Sequence, residues 1–199
     1  MSKPSENHPC TAIILAGGNA KRMGRDKRFL KIGDEKLLER LVRLLKEHFS
    51  AVIISANDPE KLAYLGVPII KDQRGGSGPL DGLTSALSFS KTEHNFVMAV
   101  DIPSVDMELV ADMRSHLNSV FAVIPMTAEG QQEPLFAFYS KHCIPLFKSS
   151  LEAGEKAIHQ AVKGCPVYHY PLPRYMRLMN LNRIEDYQAF LKKKGNSNV

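Results

Sequence analysis

Cysteine is scarce in this 199-residue sequence: Cys10, Cys143 and Cys165 are an odd number, and no CxxC pair occurs. That combination excludes a disulfide framework and a cysteine-based zinc site, and makes a reducing cytoplasm the expected compartment. Long hydrophobic runs are missing as well. The longest apolar stretches are five or six residues, such as FVMAV, each broken by Gly, Pro or charge, whereas a membrane helix needs about 20. The N-terminal MSKPSENHPC has no apolar core of the kind a signal peptide carries, so residues 1–9 are expected to be a loose leader. No HExxH or similar spacing organises the seven histidines, which removes a His-based metal site. Neither the P-loop GxxxxGK[ST] nor a GxGxxG fingerprint is present, nor a visible Ser-His-Asp or Cys-His constellation. The net charge of +5 comes from basic residues spread along the chain rather than gathered in one tract. An anionic small-molecule substrate accounts for that excess as well as nucleic acid would, and neither nucleic acid nor a membrane is expected as a partner.

What is present is an ordinary globular composition, 44% hydrophobic and 24% charged, organised as alternating β-rich and helical segments. TAIIL (11–15), AVIIS (51–55), VPII (67–70), FVMAV (96–100) and VFAVI (120–124) are continuous and apolar. Strands buried on both faces of a parallel sheet have this character. Between the first two, Leu37, Leu41, Leu44, Leu45 and His48 share one helical face, with Lys36, Arg40, Arg43 and Glu47 opposite. Asp58-Pro59 predicts a short helix with Asp58 as N-cap and Gly66 as the C-terminal stop. Helices follow over Pro79 to Ser90 and Asp106 to Leu117. PLFAFY then predicts a strand, and helices are expected over His142 to Ala153, Glu155 to Val162 and Ile184 to Lys194. The order predicts an α/β fold, a doubly wound three-layer, Rossmann-like and mostly parallel sheet, spanning residues 1–199 as a single domain. Ligands should then bind beyond the carboxyl ends of the strands.

The densest chemical signal follows the first strand. LAGGNAKRMGRDK (15–27) places three glycines and four cations, Lys21, Arg22, Arg25 and Lys27, in one segment. Gly17, Gly18 and Gly24 let backbone amides point at phosphate oxygens, while Arg22 and Lys27 neutralise charge. Asp72, after VPIIK, and Asp101, after FVMAV, follow two further strands and belong at the same sheet edge. Magnesium is commonly held by one or two carboxylates with phosphates and water completing the sphere, which makes Asp101 the natural metal ligand. Asp106 is expected only to cap a helix. RGGSGPLDGL (74–83) lies between the two aspartates, and its small residues leave room for a planar base against the backbone.

These motifs together, LAGG with RMG.DK, GPLDGL, VDIP, QEPLFAFY near residue 135 and NLN at 180–182, resemble the molybdenum cofactor guanylyltransferase (MobA-type) family of the nucleotidyltransferase superfamily. The likeness covers most of the chain. It implies a nucleotidyltransferase that moves GMP from GTP to molybdopterin and releases pyrophosphate, with Mg2+ on Asp101. It also implies nucleotide contacts at Leu15, Ala16, Gly17, Lys27, Asn57, Asp72 and Asp101, and catalytic roles for Lys27, Arg22 and Asp101. A molybdoenzyme or another cofactor-biosynthesis protein would be a natural partner. One departure is visible: the family commonly continues NLN with Thr-Pro-Glu-Asp, whereas Arg183-Ile184-Glu185-Asp186 stands here. Two alternatives stay open on sequence: a same-fold cytidylyltransferase acting on molybdopterin or a sugar or polyol phosphate, and an idle nucleotide- or pterin-binding module.

Overall fold

The computed structural model of the chain describes residues 9–17, 26–74, 78–173, 176 and 178–196. In chain order its strands are β1 (Cys10–Leu15), β2 (Lys31–Ile32), β3 (Glu35–Lys36), β4 (Ala51–Ser55), β5 (Ile69–Ile70), β6 (His94–Ala99), β7 (Ala122–Met126), β8 (Phe136–Ser140) and β9 (Val167–Pro171). The helices are α1 (Leu37–His48), α2 (Pro79–Phe89), α3 (Met107–Ser115), α4 (Ile144–Glu152), α5 (Ile158–Ala161) and α6 (Ile184–Asn196).

Seven strands form one sheet in the order β5-β4-β1-β6-β8-β7-β9, and β2 with β3 makes a separate hairpin. All pairings in the large sheet are parallel except those of β8, which runs antiparallel between β6 and β7. All six residues of β1 are buried. Their alternation divides the interior: Ala12 and Ile14 join the core under α1 and α3, whereas Ile13 and Leu15 join the core under α2, α4 and α5. Successive strand side chains point to opposite faces, so continuous apolar strands require helices on both sides. That is the three-layer arrangement the sequence predicts.

Several local expectations change. The buried stripe of α1 is Leu37, Leu38, Leu41, Val42 and Leu45, while His48 is exposed. The segment after Asp58 is two separate 3-10 turns, Pro59–Lys61 and Ala63–Leu65, and Gly66 closes the second. Asp58 does not cap them, because its carboxylate is taken by Arg28. Asp106 does cap α3, accepting from the amides of Glu108 and Leu109 at 3.0 and 3.1 Å. Two elements had no sequence signal of the kind used above. The two-residue strands of the hairpin are too short to show a period, and VYHYP in β9 is only partly buried along its length. No helix among the described residues is long and apolar enough to cross a membrane.

Candidate active site at the carboxyl ends of the parallel strands

Because β5, β4, β1 and β6 are parallel, their carboxyl ends share one edge. After β1 the chain builds outward through β4 and β5, then crosses to β6 on the other side of β1. Such a reversal of strand order opens a crevice in a doubly wound sheet. A cleft of about 620 Å³ lies there, and its lining includes Leu15, Ala16, Gly17, Lys27, Asn57, Asp72 and Asp101. Seven positions scattered from residue 15 to residue 101 are thus brought to one place. Arg22, Gly18 and Gly24 lie outside the described residues, as do Gly75 and Gly76 of the middle loop.

On the β6 side, Lys27 Nζ donates to Asp101 Oδ2 at 3.0 Å and to Asn182 Oδ1 at 3.1 Å. The aspartate is held by its backbone: its carbonyl accepts from the Leu181 amide at 2.8 Å, and the preceding Val100 amide reaches the Leu15 carbonyl at 3.1 Å. Leu181 is fully buried, so the NLN segment is anchored against the strand end and presents Asn182 to the lysine. On the β4–β5 side, Asn57 and Asp72 bind each other twice. Asn57 Nδ2 donates to Asp72 Oδ2 at 2.9 Å, and the Asp72 amide donates to Asn57 Oδ1 at 3.1 Å. The Ser55 hydroxyl adds a longer contact to Asp72 Oδ1 at 3.4 Å. The crevice is therefore flanked by a cation–carboxylate pair on one side of β1 and an amide–carboxylate pair on the other.

The donor chemistry fits a hard divalent cation. Among the described residues no three His, Cys, Asp or Glu side chains converge, which rules against an all-protein cage there. A single strand-end carboxylate is compatible with an ion that keeps phosphate and water ligands.

Residues 12–165 match the family of MobA-like NTP transferase domains. The chain belongs to this family. It is 34% identical over 181 residues to the probable molybdenum cofactor guanylyltransferase of Pelotomaculum thermopropionicum, covering 90% of this chain and 84% of that one. It is 31% identical over 189 residues to the protein of the same name from Carboxydothermus hydrogenoformans, covering 92% and 95%. Among solved structures, molybdopterin-guanine dinucleotide biosynthesis protein A of Archaeoglobus fulgidus superposes with a TM-score of 0.79 at 21% identity, covering 94% of this chain and 99% of that one. The chain is accordingly a nucleotidyltransferase, and the expected fold class and enzyme class both hold.

Within this MobA-like domain, Gly82 of GPLDGL has a steric role that composition concealed. A Cβ there would stand 2.5 Å from Ser55 Oγ and 3.0 Å from Asp72 Oδ1, so α2 approaches the crevice wall as closely as it does only because residue 82 lacks a side chain. Gly82→Ala should displace Asp72 and destabilise the fold by about 1–3 kcal/mol, the usual penalty for overpacking. Chemical denaturation together with nucleotide titration checks this, and a variant with wild-type values on both would refute the close-approach argument.

Asp81, one residue earlier, is buried and accepts from the Arg74 amide at 2.8 Å, so it orders the entry to the Gly-rich loop rather than facing the crevice. Asn182, Ser55, Arg28 and Asp58 were not singled out as site residues by the sequence. Their contacts join segments far apart in the chain, and no spacing rule marks them. At the departure after NLN, Asp186 accepts from the Asn182 and Arg183 amides at 3.0 and 2.8 Å, which keeps the carboxylate half of a capping box without the Thr hydroxyl.

Arg28 forms a two-sided clamp beside the cleft. Its Nε donates to Asp26 Oδ1 at 2.9 Å, its guanidinium bridges to Asp58 Oδ2 at 2.8 Å, and its second terminal nitrogen binds Asp58 Oδ1. The side-chain hydrogen bonds from Arg28 hold the Asp58 carboxyl down at about 2, against an ordinary 3.8. A carboxyl depressed by folding stabilises the protein fully above its unfolded pKa and loses that contribution as pH falls through the folded value. The difference in melting temperature between wild type and Asp58→Asn should thus be constant above about pH 5, then shrink as pH falls from 3.8 toward 2. A difference that persists undiminished at pH 2 would show that Asp58 does not titrate in this window.

Proposed function

We propose that this enzyme transfers GMP from GTP to the terminal phosphate of molybdopterin, releasing pyrophosphate and forming the guanine dinucleotide cofactor. The observation that carries this reading is the 3.0 Å Lys27–Asp101 pair at the strand ends, facing Asn57 and Asp72 across β1. Relatives above 30% identity bearing the guanylyltransferase name support the choice of nucleotide and acceptor.

In this proposal the backbone of Leu15, Ala16 and Gly17 lies against the nucleotide, and Asn57 and Asp72 contact its nucleoside end. Lys27 and Arg22 neutralise charge on the phosphates. Asp101 would hold Mg2+, which when bound supplies further neutralisation of the triphosphate. The acceptor phosphate attacks the α-phosphorus in line while the bond to pyrophosphate breaks. A phosphomonoester has a second pKa of about 6, so the nucleophile is largely ionised near neutrality without a general base. Catalysis then rests on positioning and charge neutralisation. We place the reaction in the cytoplasm, with a molybdoenzyme or another cofactor-biosynthesis protein receiving the product.

Pyrophosphate release with each of the four nucleoside triphosphates, in the presence of molybdopterin and magnesium, tests the assignment. GTP should support turnover well above ATP, CTP or UTP. Equal turnover with CTP would replace the guanylyl reading by a cytidylyl one.

A further inference from the structure

Outside the cleft, the two cysteines that the transferase reaction does not use lie against each other. The sulfurs of Cys143 and Cys165 stand 3.7 Å apart although the residues are 22 positions apart. Cys143 is fully buried at the entry to α4, with its thiol directed at the Phe121 carbonyl at 3.3 Å. Cys165 is partly exposed and fixed by its amide, which donates to the Val162 carbonyl at 2.9 Å. It opens into a separate groove of about 600 Å³ whose lining also includes His159, Lys163 and His169. The pair is thus asymmetric, with Cys165 lining a groove that also holds Lys163 and Cys143 buried beside it. Hydrogen bonding with Cys143 lowers the Cys165 pKa, and Cys165 is the one that lines the groove, so it is the residue an oxidant meets first.

We propose that Cys165 and Cys143 are an oxidisable dithiol in which Cys165 attacks a hydroperoxide and Cys143 resolves the product to a reversible disulfide. Cys165, as the thiolate, attacks one peroxide oxygen; the O–O bond breaks, and the departing alkoxide or hydroxide takes up the proton the thiol released to solvent, leaving a sulfenic acid and an alcohol or water. Cys143 then attacks the Cys165 sulfur, the S–S bond forms, the S–O bond breaks, and the departing hydroxide takes the Cys143 proton as water. Two thiols lose two electrons in all, and the peroxide bond gains them. The sulfurs are already in van der Waals contact, so no chain segment has to cross a gap to reach a bond of about 2 Å. The closed loop would enclose α4, Lys156 and α5. The Lys156 carbonyl accepts from the Leu80 amide at 3.4 Å, so the bond would staple the block behind the first turn of α2, which lines the cleft at Pro79 and Gly82.

The test treats the reduced full-length protein with hydrogen peroxide at low molar excess. The denatured thiol count should fall from three to one, and a peptide map should show Cys143 joined to Cys165, reversed by a dithiol reductant. Cys10, buried at the start of β1 with a pKa raised by burial to about 11, should stay reduced and serve as the internal control. Cys10→Ser should oxidise as wild type does, and Cys143→Ser should leave a sulfenic acid on Cys165 that a dimedone-type reagent traps. The oxidised protein should melt roughly 5 °C or more above the reduced one. Three free thiols after treatment, over-oxidation of Cys165 with Cys143 still free, or links only between molecules would overturn the proposal. The wild-type map decides this even should a Cys143 variant fail to fold, and equal melting temperatures would overturn the stapling role.

Discussion

Asp101→Asn should lower magnesium-dependent GMP transfer by about 10³-fold while the protein stays folded, the scale expected when a carboxylate that anchors a metal at developing charge is neutralised. The reasoning starts from how the residue is held. Asp101 follows buried β6, and its carbonyl and its neighbour's amide are both tied into the backbone, so placement does not depend on the side-chain charge. Asparagine keeps the shape and an oxygen that can accept from Lys27. It removes only the negative charge. The ion pair is partly solvated, with side-chain exposures of 19% and 23%, and such pairs contribute about 1 kcal/mol or less. A melting temperature within a few degrees of wild type is therefore expected. A structural aspartate would behave in the opposite way, with stability falling and activity declining only in proportion to folded protein. A magnesium titration of transfer beside a melting curve separates the two, and wild-type activity at ordinary magnesium concentrations would refute the role assigned to Asp101.

Lys27→Ala should reduce turnover by at least ~10-fold, because a fixed cation at a developing phosphoryl charge contributes on the order of several kcal/mol. Its ammonium now rests between Asp101 and Asn182, one side chain's reach from where the triphosphate of the proposed substrate would lie. Alanine leaves behind one carboxylate and one amide oxygen, both in a solvent-accessible cleft where water satisfies them, so folding should change little. The loss should fall more on kcat than on the apparent affinity for GTP, since an interaction that strengthens as charge develops acts on the transition state. Steady-state kinetics over GTP concentration measures the split. Unchanged kcat would reduce Lys27 to a surface lysine paired with Asp101.

Much of this protein is legible residue by residue. Continuous apolar runs such as AVIIS and FVMAV can be satisfied only by burial on both faces, and that requirement dictates parallel strands with helices above and below. A glycine-rich cationic segment after the first strand, and aspartates after two others, point to the carboxyl edge as the candidate site without any tertiary information. The two-residue strands of the β2–β3 hairpin and β9 escape this logic, since they are too short or too exposed for a hydrophobic period to declare itself. Asp58 shows the other kind of limit. Asp-Pro is a sound local signal for a helix start, yet Arg28 from another segment outbids the local amides, because a bidentate charge-assisted pair is stronger than one neutral capping bond.

Local propensity, burial period and the order of strands and helices are short-range properties, carried by each segment independently of the rest, and so the α/β class and the sheet edge expected to carry the candidate site follow from the chain alone. Pairings between distant segments are different in kind. That Asn182 meets Lys27, that Gly82 must be bare to admit Asp72 and Ser55, that β8 inserts antiparallel, and that Cys143 lies against Cys165 all depend on how helices seat on the sheet. Those contacts are set by close packing in three dimensions, which tolerates few voids and few clashes, and no spacing along the sequence encodes them.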